Sequence, residues 1–347
     1  MLFPLAISFY TIQQIAFLFD IYEKRVGNTS VIDYCLFVSF FPQLIAGPIV
    51  HYHETIPQFN EKAKSNFDFN NINLGIIIFS IGLFKKVILA NNLGLYVDAA
   101  YSQTESLNLI EAWAASFAFT FQLYFDFSGY TDMAIGIGYL FNIILPKNFD
   151  SPFKSTNLII FWQKWHITLT RFINTYIYLA IIKKFKISNF QFLMICTIFT
   201  FTLIGFRHGP SIMFILFGLY HGIGIVINHY FRKTNLRLNK YLSIFITFNF
   251  VNISFILFRS KDVNQFLDFI FAMIGIREIL LHPLLNFYEN YFVFDKIIFS
   301  YDWFKIGNDI GGESKFLFLF IISSLLIFLF KNTAQLVNNF KYNIMNL

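Results

Sequence analysis

Two histidines sit in segments that otherwise avoid water. His221 lies inside "FILFGLYHGIGIVINHYF" (214–231) and His166 inside "FWQKWHITLTRF" (161–172). A neutral imidazole suits proton abstraction from a hydroxyl, because its unperturbed pKa is about 6.5. Ionisable groups at membrane depth usually face an interior cavity and mark function. His221 is therefore read as a candidate general base. A plain hydrogen bond to a neighbouring helix explains the same residue, and spacing alone does not separate the two. Gly218, Gly222 and Gly224 thin the helix around it, which allows close backbone approach or a cavity.

The His166 segment repeats aromatics at helical spacing. Phe161, Trp162, Trp165, Leu169 and Phe172 fall on one side, while Gln163, Lys164, Thr170 and Arg171 fall largely on the other. This pattern predicts a helix lying in the headgroup region, with His166 at the border between its faces. His166 reads either as a headgroup-facing polar residue or as a second active-site group.

A third polar constellation lies in "LYFDFSGYTDMAIGIG" (123–138), where Asp126 pairs with Tyr130 and Ser128 with Asp132 at i,i+4. Gly129, Gly136 and Gly138 predict a break or tight packing there. Asp126 and Asp132 read first as structural, and either could instead orient a catalytic histidine. His208, in "GFRHGP", reads as solvated or as lining a cavity mouth. The sequence contains no GxSxG, HExxH or P-loop motif, and Cys35 and Cys196 sit in apolar runs. No metal site and no bound cofactor are expected.

The elements that must hold these residues follow from composition. The 347 residues are 56% hydrophobic, 21% aromatic and only 13% charged, with a mean hydropathy of +0.57. A soluble domain is roughly 25% charged, so this is an all-α, polytopic membrane chain. Apolar runs near the ~20 residues needed to span hydrocarbon cover 5–22, 32–50, 72–98, 110–142, 189–206, 211–231, 241–258 and 316–330, with a partial one at 263–275. The opening run lacks the basic leader and small-residue site of a cleavable signal. No fixed-period repeat is present, which counts against an inverted-repeat transporter.

The net charge of +6 concentrates in loops rather than in a nucleic-acid footprint. "KKFK" (183–186) and "RKTNLRLNK" (232–240) contain no acid and predict cytoplasmic loops. Residues 207–210 then turn outside, 276–315 form an outer loop, and the C-terminus returns inside. His221 falls about halfway along 211–231, which at ~1.5 Å per residue is roughly 15 Å into a core of about 30 Å.

Several longer stretches resemble the membrane-bound O-acyltransferase family. They are "FDFSGYTDMAIGIGYLF", "PKNFDSPFKSTNLIIFWQKWHITLTRF", "FGLYHG", "SFFPQLIAGPIVHYHETIPQF" and "FILFRSKDVNQFLDFIFAMIG". They are most similar to the bacterial alginate O-acetylation branch, and the likeness runs from residue 3 to about 275 within one membrane domain. It implies a ring of tilted helices around a central tunnel in a bacterial inner membrane. It further implies acyl transfer, with acetyl-CoA or another cytoplasmic thioester as co-substrate. The acceptor would be a hydroxyl of an extracytoplasmic glycan, and a periplasmic partner enzyme would complete the transfer. His221 falls on the family's central histidine and His166 on its second active-site position, with the donor threading past Trp162 and Trp165.

The sequence departs from the family pattern at three places. The chain opens where relatives carry further helices before it, so a shortened form is expected. Asn174 stands where Arg is usual, in "NTYIYLAIIKK", and Arg207 stands where Trp is usual, beside His208. Two other readings remain at this point: a transporter or glycan-export component without chemistry, and an inactive shortened acyltransferase.

Overall fold

The computed structural model describes residues 7–338, apart from 28, 45–46, 62–67, 188, 235 and 277–311. The outer loop expected at 276–315 falls almost wholly outside the described residues. Among these, the regular structure is helical. Helices α1 (Ile7–Tyr22), α2 (Val31–Ser39), α3 (Phe41–Leu44) and α4 (Tyr52–Asn60) open the chain. The 32–50 run is thus not one span: α2 ends at Phe40, whose extended backbone starts the short, proline-containing α3.

The next run is longer than its hydropathy suggested. Helix α5 (Phe69–Leu83) passes through a π segment (Phe84–Ala90) into α6 (Asn91–Ser102) without interruption. It packs along α7 (Leu109–Leu140), which starts with an Asn108–Glu111 capping box. The glycines of α7 cause no break. A Cβ on Gly82 would lie 2.5 Å from the Gly129 carbonyl, and one on Gly75 2.7 Å from that of Gly136. Two glycine pairs therefore let the helices touch backbone to backbone, the tight-packing alternative.

That register aligns charges that hydrocarbon would otherwise penalise. Lys85 meets Asp132 at 2.6 Å, Thr333 donates to the same carboxylate at 2.7 Å, and Lys86 pairs with Asp126. Lys85 and Lys86 both lie in the π segment, where single-turn bulges often mark functional or strained positions.

The second half contains α8 (Leu158–Lys164), α9 (Ile167–Ile173), a π segment (Asn174–Tyr178) and α10 (Leu179–Phe185). After these come α11 (Phe190–Phe206), α12 (Ile212–Phe231), α13 (Lys240–Arg259), α14 (Val263–Met273) and α15 (Gly312–Phe328). Among the described residues, three helices are long and apolar enough to cross a membrane: Phe69–Ser102, Ile212–Phe231 and Lys240–Arg259. Large apolar side chains such as Ile195 and Phe199 of α11, Ile227 of α12 and Phe245 of α13 are exposed, as lipid contact requires. The main core joins α6, α7, α8, α12, α13 and α15.

Candidate active site

His221 occupies the middle of α12 and has no exposed surface. The indole Nε1 of Trp162 donates to its Nδ1 at 3.2 Å. An indole N–H can only donate, so Nδ1 carries the lone pair and Nε2 carries the proton. Nε2 then donates to Ser254 Oγ at 2.9 Å, and that hydroxyl donates onward to the Val251 carbonyl at 2.6 Å. Both ring nitrogens are therefore engaged. Phe217 edges the imidazole at 4.8 Å between centroids, Trp162 at 5.0 Å and Phe250 at 5.8 Å.

Gly218 and Gly222 bring helices together beside His221. A Cβ at Gly218 would lie 2.3 Å from the Phe201 carbonyl, and one at Gly222 2.9 Å from Ile198 Cα. Gly224 receives the Phe250 ring instead. Close packing is thus observed at Gly218 and Gly222, while Gly224 also lines a cavity.

The expected helix over 161–172 is two helices meeting at His166. Trp165 is extended, and His166 adopts φ 45°, ψ 54°, a left-handed conformation that is uncommon for a residue with a side chain. Asn148, upstream in the chain, clamps this break. Its carbonyl oxygen accepts from Thr168 N at 3.2 Å, and Ile167 N donates to its backbone carbonyl at 2.9 Å. Asn157 caps α8 through Ile160 N.

Asn148 also fixes the His166 tautomer. The atom facing Thr168 N–H must be the amide oxygen, and the same atom lies 3.0 Å from His166 Nδ1. Nδ1 therefore donates, and Nε2 holds a free lone pair; it is buried without a partner. The two histidines thus differ: the lone pair of His221 is capped, and that of His166 is open.

The aromatic face of this segment is covered by protein. Phe161, Trp162 and Trp165 are buried. Trp165 packs on Phe149, Phe153 and Phe255, with centroids 5.1–5.9 Å apart. The stripe fills the seam between α7, α12 and α13, where protein rather than lipid covers it. Arg171, on the polar side, forms a bidentate pair with Glu54 at 2.6 and 2.8 Å.

The remaining site expectations separate. Asp126 and Asp132 pair with lysines, and among the described residues neither hydrogen-bonds a histidine. His208 is exposed in the turn after α11 and edges Phe258 at 5.0 Å. Sequence reasoning passed over Ser254 and Asn148. The signal for Ser254 was present, since Asn252 and Ser254 are polar residues in an apolar run. It also passed over a buried cluster around Asp20. Tyr176 Oη donates to that carboxylate at 2.8 Å and accepts from His51 Nδ1 at 3.0 Å, while Arg25 pairs with Asp20 at 3.3 Å.

Two cavities flank α8. One of about 620 Å³ lies between its N-terminus and α12/α13, lined by Asn157, Leu158, Gly224, Arg232, Lys240 and Phe250. The other, about 210 Å³, is lined by Trp162, Gln163, Asn174, Thr197, Ile225 and His229. Trp162 thus borders a cavity while its indole caps His221. Among the described residues, no cluster of three metal-ligating side chains occurs.

Residues 20–261 match the membrane-bound O-acyltransferase family. The chain is 43% identical over 314 residues to the peptidoglycan O-acetyltransferase of Helicobacter pylori, covering 81% of this chain and 58% of that protein. It is 33% identical over 265 residues to the probable alginate O-acetylase AlgI of Pseudomonas aeruginosa, covering 76% and 50%. A teichoic acid D-alanyltransferase of Bacillus subtilis is 27% identical over 248 residues, covering 66% and 61%. The chain therefore spans little more than half the length of these relatives.

Proposed function

This chain belongs to the membrane-bound O-acyltransferase family, and on that premise we propose that it transfers an acyl group, acetyl in the first instance, to a hydroxyl of a cell-envelope glycan. The relatives are named for acylating peptidoglycan, alginate and teichoic acid, three envelope or exported polymers. The observation that carries the reading is the pairing of His221 and His166 through one short helix. Trp162 of α8 holds the first, and the break that ends α8 presents the second.

In this proposal the donor is a cytoplasmic thioester such as acetyl-CoA. Arg232 and Lys240 line the 620 Å³ cavity and belong to the basic run read as cytoplasmic, which suits a phosphate-bearing donor. The acceptor hydroxyl enters from the opposite side and is first held at the open Nε2 of His166. When the Trp162 indole moves off Nδ1, His221 takes the hydroxyl proton as the oxygen attacks the thioester carbonyl. The C–O bond forms, the C–S bond breaks, and the proton passes from His221 to the departing thiolate. General-base assistance of this kind is worth roughly 10²–10⁴-fold. Residence in the bacterial inner membrane and a periplasmic partner completing the transfer belong to the same proposal.

The test is acetyl transfer from radiolabelled acetyl-CoA into envelope glycan, using membranes that carry the wild-type chain or its His221→Ala and His166→Ala variants. Activity in the wild type and its loss in both variants is the expected result.

A further inference from the structure

Arg207 is half-buried at the end of α11, and its Nε and Nη1 are sealed from solvent without any hydrogen-bond partner. No carboxylate among the described residues lies within ion-pair distance of it. Burying guanidinium N–H donors without hydrogen-bond acceptors is costly, and the adjacent Phe9 ring offsets only part of that cost. Its guanidinium carbon lies 5.7 Å from the centre of the Phe9 ring, and the same ring stacks on His166 with centroids 6.2 Å apart. Two unsatisfied groups therefore flank one phenyl ring: donors on Arg207 and an acceptor lone pair on Nε2 of His166. His208 adjoins Arg207 at the same turn, and the basic-loop orientation puts that turn on the outer side of the membrane.

We propose that Arg207 is an anion-recognition residue that binds a carboxylate carried by the acceptor glycan while His166 receives a hydroxyl of the same acceptor. The acceptor role rests on the acyl-transfer reading; the binding itself does not. Guanidinium suits this task because its fork of donors matches carboxylate geometry. A uronic acid ring and a peptide-bearing amino sugar are the two glycan sources of such a carboxylate.

The full chain in lipid nanodiscs is titrated with a short uronic-acid oligosaccharide, the same oligosaccharide with its carboxyls reduced to alcohols, and a muropeptide. The wild type is expected to bind at least one carboxylate form roughly 10- to 100-fold more tightly than the reduced form, as charged hydrogen bonds of this kind allow. Arg207→Gln abolishes that preference and Arg207→Lys keeps part of it. The ligand that loses affinity in Arg207→Gln identifies the source. Equal binding of all three ligands, binding of none, or an equal loss on all three in Arg207→Gln overturns the proposal. Arg207→Lys retains the charge, so it keeps the test decisive if the glutamine variant does not fold. A carboxylate preference without acetyl transfer would count against the acyl-transfer reading and leave the anion site standing.

Discussion

The Trp162 indole donates to Nδ1 of His221 across 3.2 Å, so the lone pair that would accept a proton is occupied in the resting arrangement. Trp162 also borders the 210 Å³ cavity, which makes its side chain the barrier between that space and the imidazole. Trp162→Phe keeps an aromatic ring and removes the donor. Acceptor-independent hydrolysis of the thioester is expected to rise roughly 2- to 10-fold, the range of one neutral hydrogen bond. Hydrolysis is read as free thiol released without added glycan, and an unchanged rate would contradict a capping role.

Ser254 works from the other side of the ring. Its hydroxyl accepts from Nε2–H and is anchored on Val251, which holds His221 in the tautomer that leaves Nδ1 as the base. Ser254→Ala leaves a buried N–H without a partner and frees the ring to rotate. The expected effect is a roughly 5- to 100-fold fall in kcat with the donor KM unchanged. A change confined to KM would assign Ser254 to substrate binding instead.

Asn148 does for His166 what Ser254 does for His221. Asn148→Asp preserves the acceptor for Thr168 N–H but places a carboxylate against Nδ1–H, which stabilises the imidazolium. His166 then keeps a proton on Nε2 to higher pH and loses its open lone pair. The acid limb of the kcat/KM profile is expected to move to higher pH, with little activity lost well above it. A uniform loss at every pH would reduce Asn148 to a structural clamp.

The burial of His221 within an apolar helix was legible in the sequence, because it follows from the hydropathy of 211–231. The sequence also marked Asp126 and Asp132 as charged groups in an apolar run. Their partners, Lys85 and Lys86, were not legible, because the pairing depends on the antiparallel register that Gly75–Gly136 and Gly82–Gly129 set between α5 and α7. The break at His166 was hidden for a related reason. Helical periodicity runs straight through 161–172, and only the Asn148 clamp, distant in sequence, makes a left-handed histidine tolerable there. The protein cover over Trp162 and Trp165 was not legible, because an aromatic stripe looks the same whether lipid or protein covers it.

His51 supplies a prediction about acid stability. It lies in the polar stretch after α3, where burial holds its pKa below the ordinary 6.5; Arg171 pushes the same way, against Glu54 and Asp20. The unfolded chain then binds a proton that the folded chain refuses, so stability is present above about pH 6.5 and falls as pH drops below it. The melting temperature in detergent is expected to decline from pH 7 to pH 5. His51→Gln keeps a donor for Tyr176 and should flatten that decline. An identical slope in the variant would place the acid sensitivity elsewhere.

The central claim is that the two histidines joined through α8 perform acyl transfer, and the most direct measurement is transfer of labelled acetyl from acetyl-CoA into glycan by membranes carrying the full chain. The account predicts measurable transfer by the wild type. It also predicts a loss of at least about 100-fold in His221→Ala, the lower range of general-base assistance, and a marked loss in His166→Ala, with protein levels matched. Transfer by the wild type with most of the activity retained in His221→Ala would contradict it.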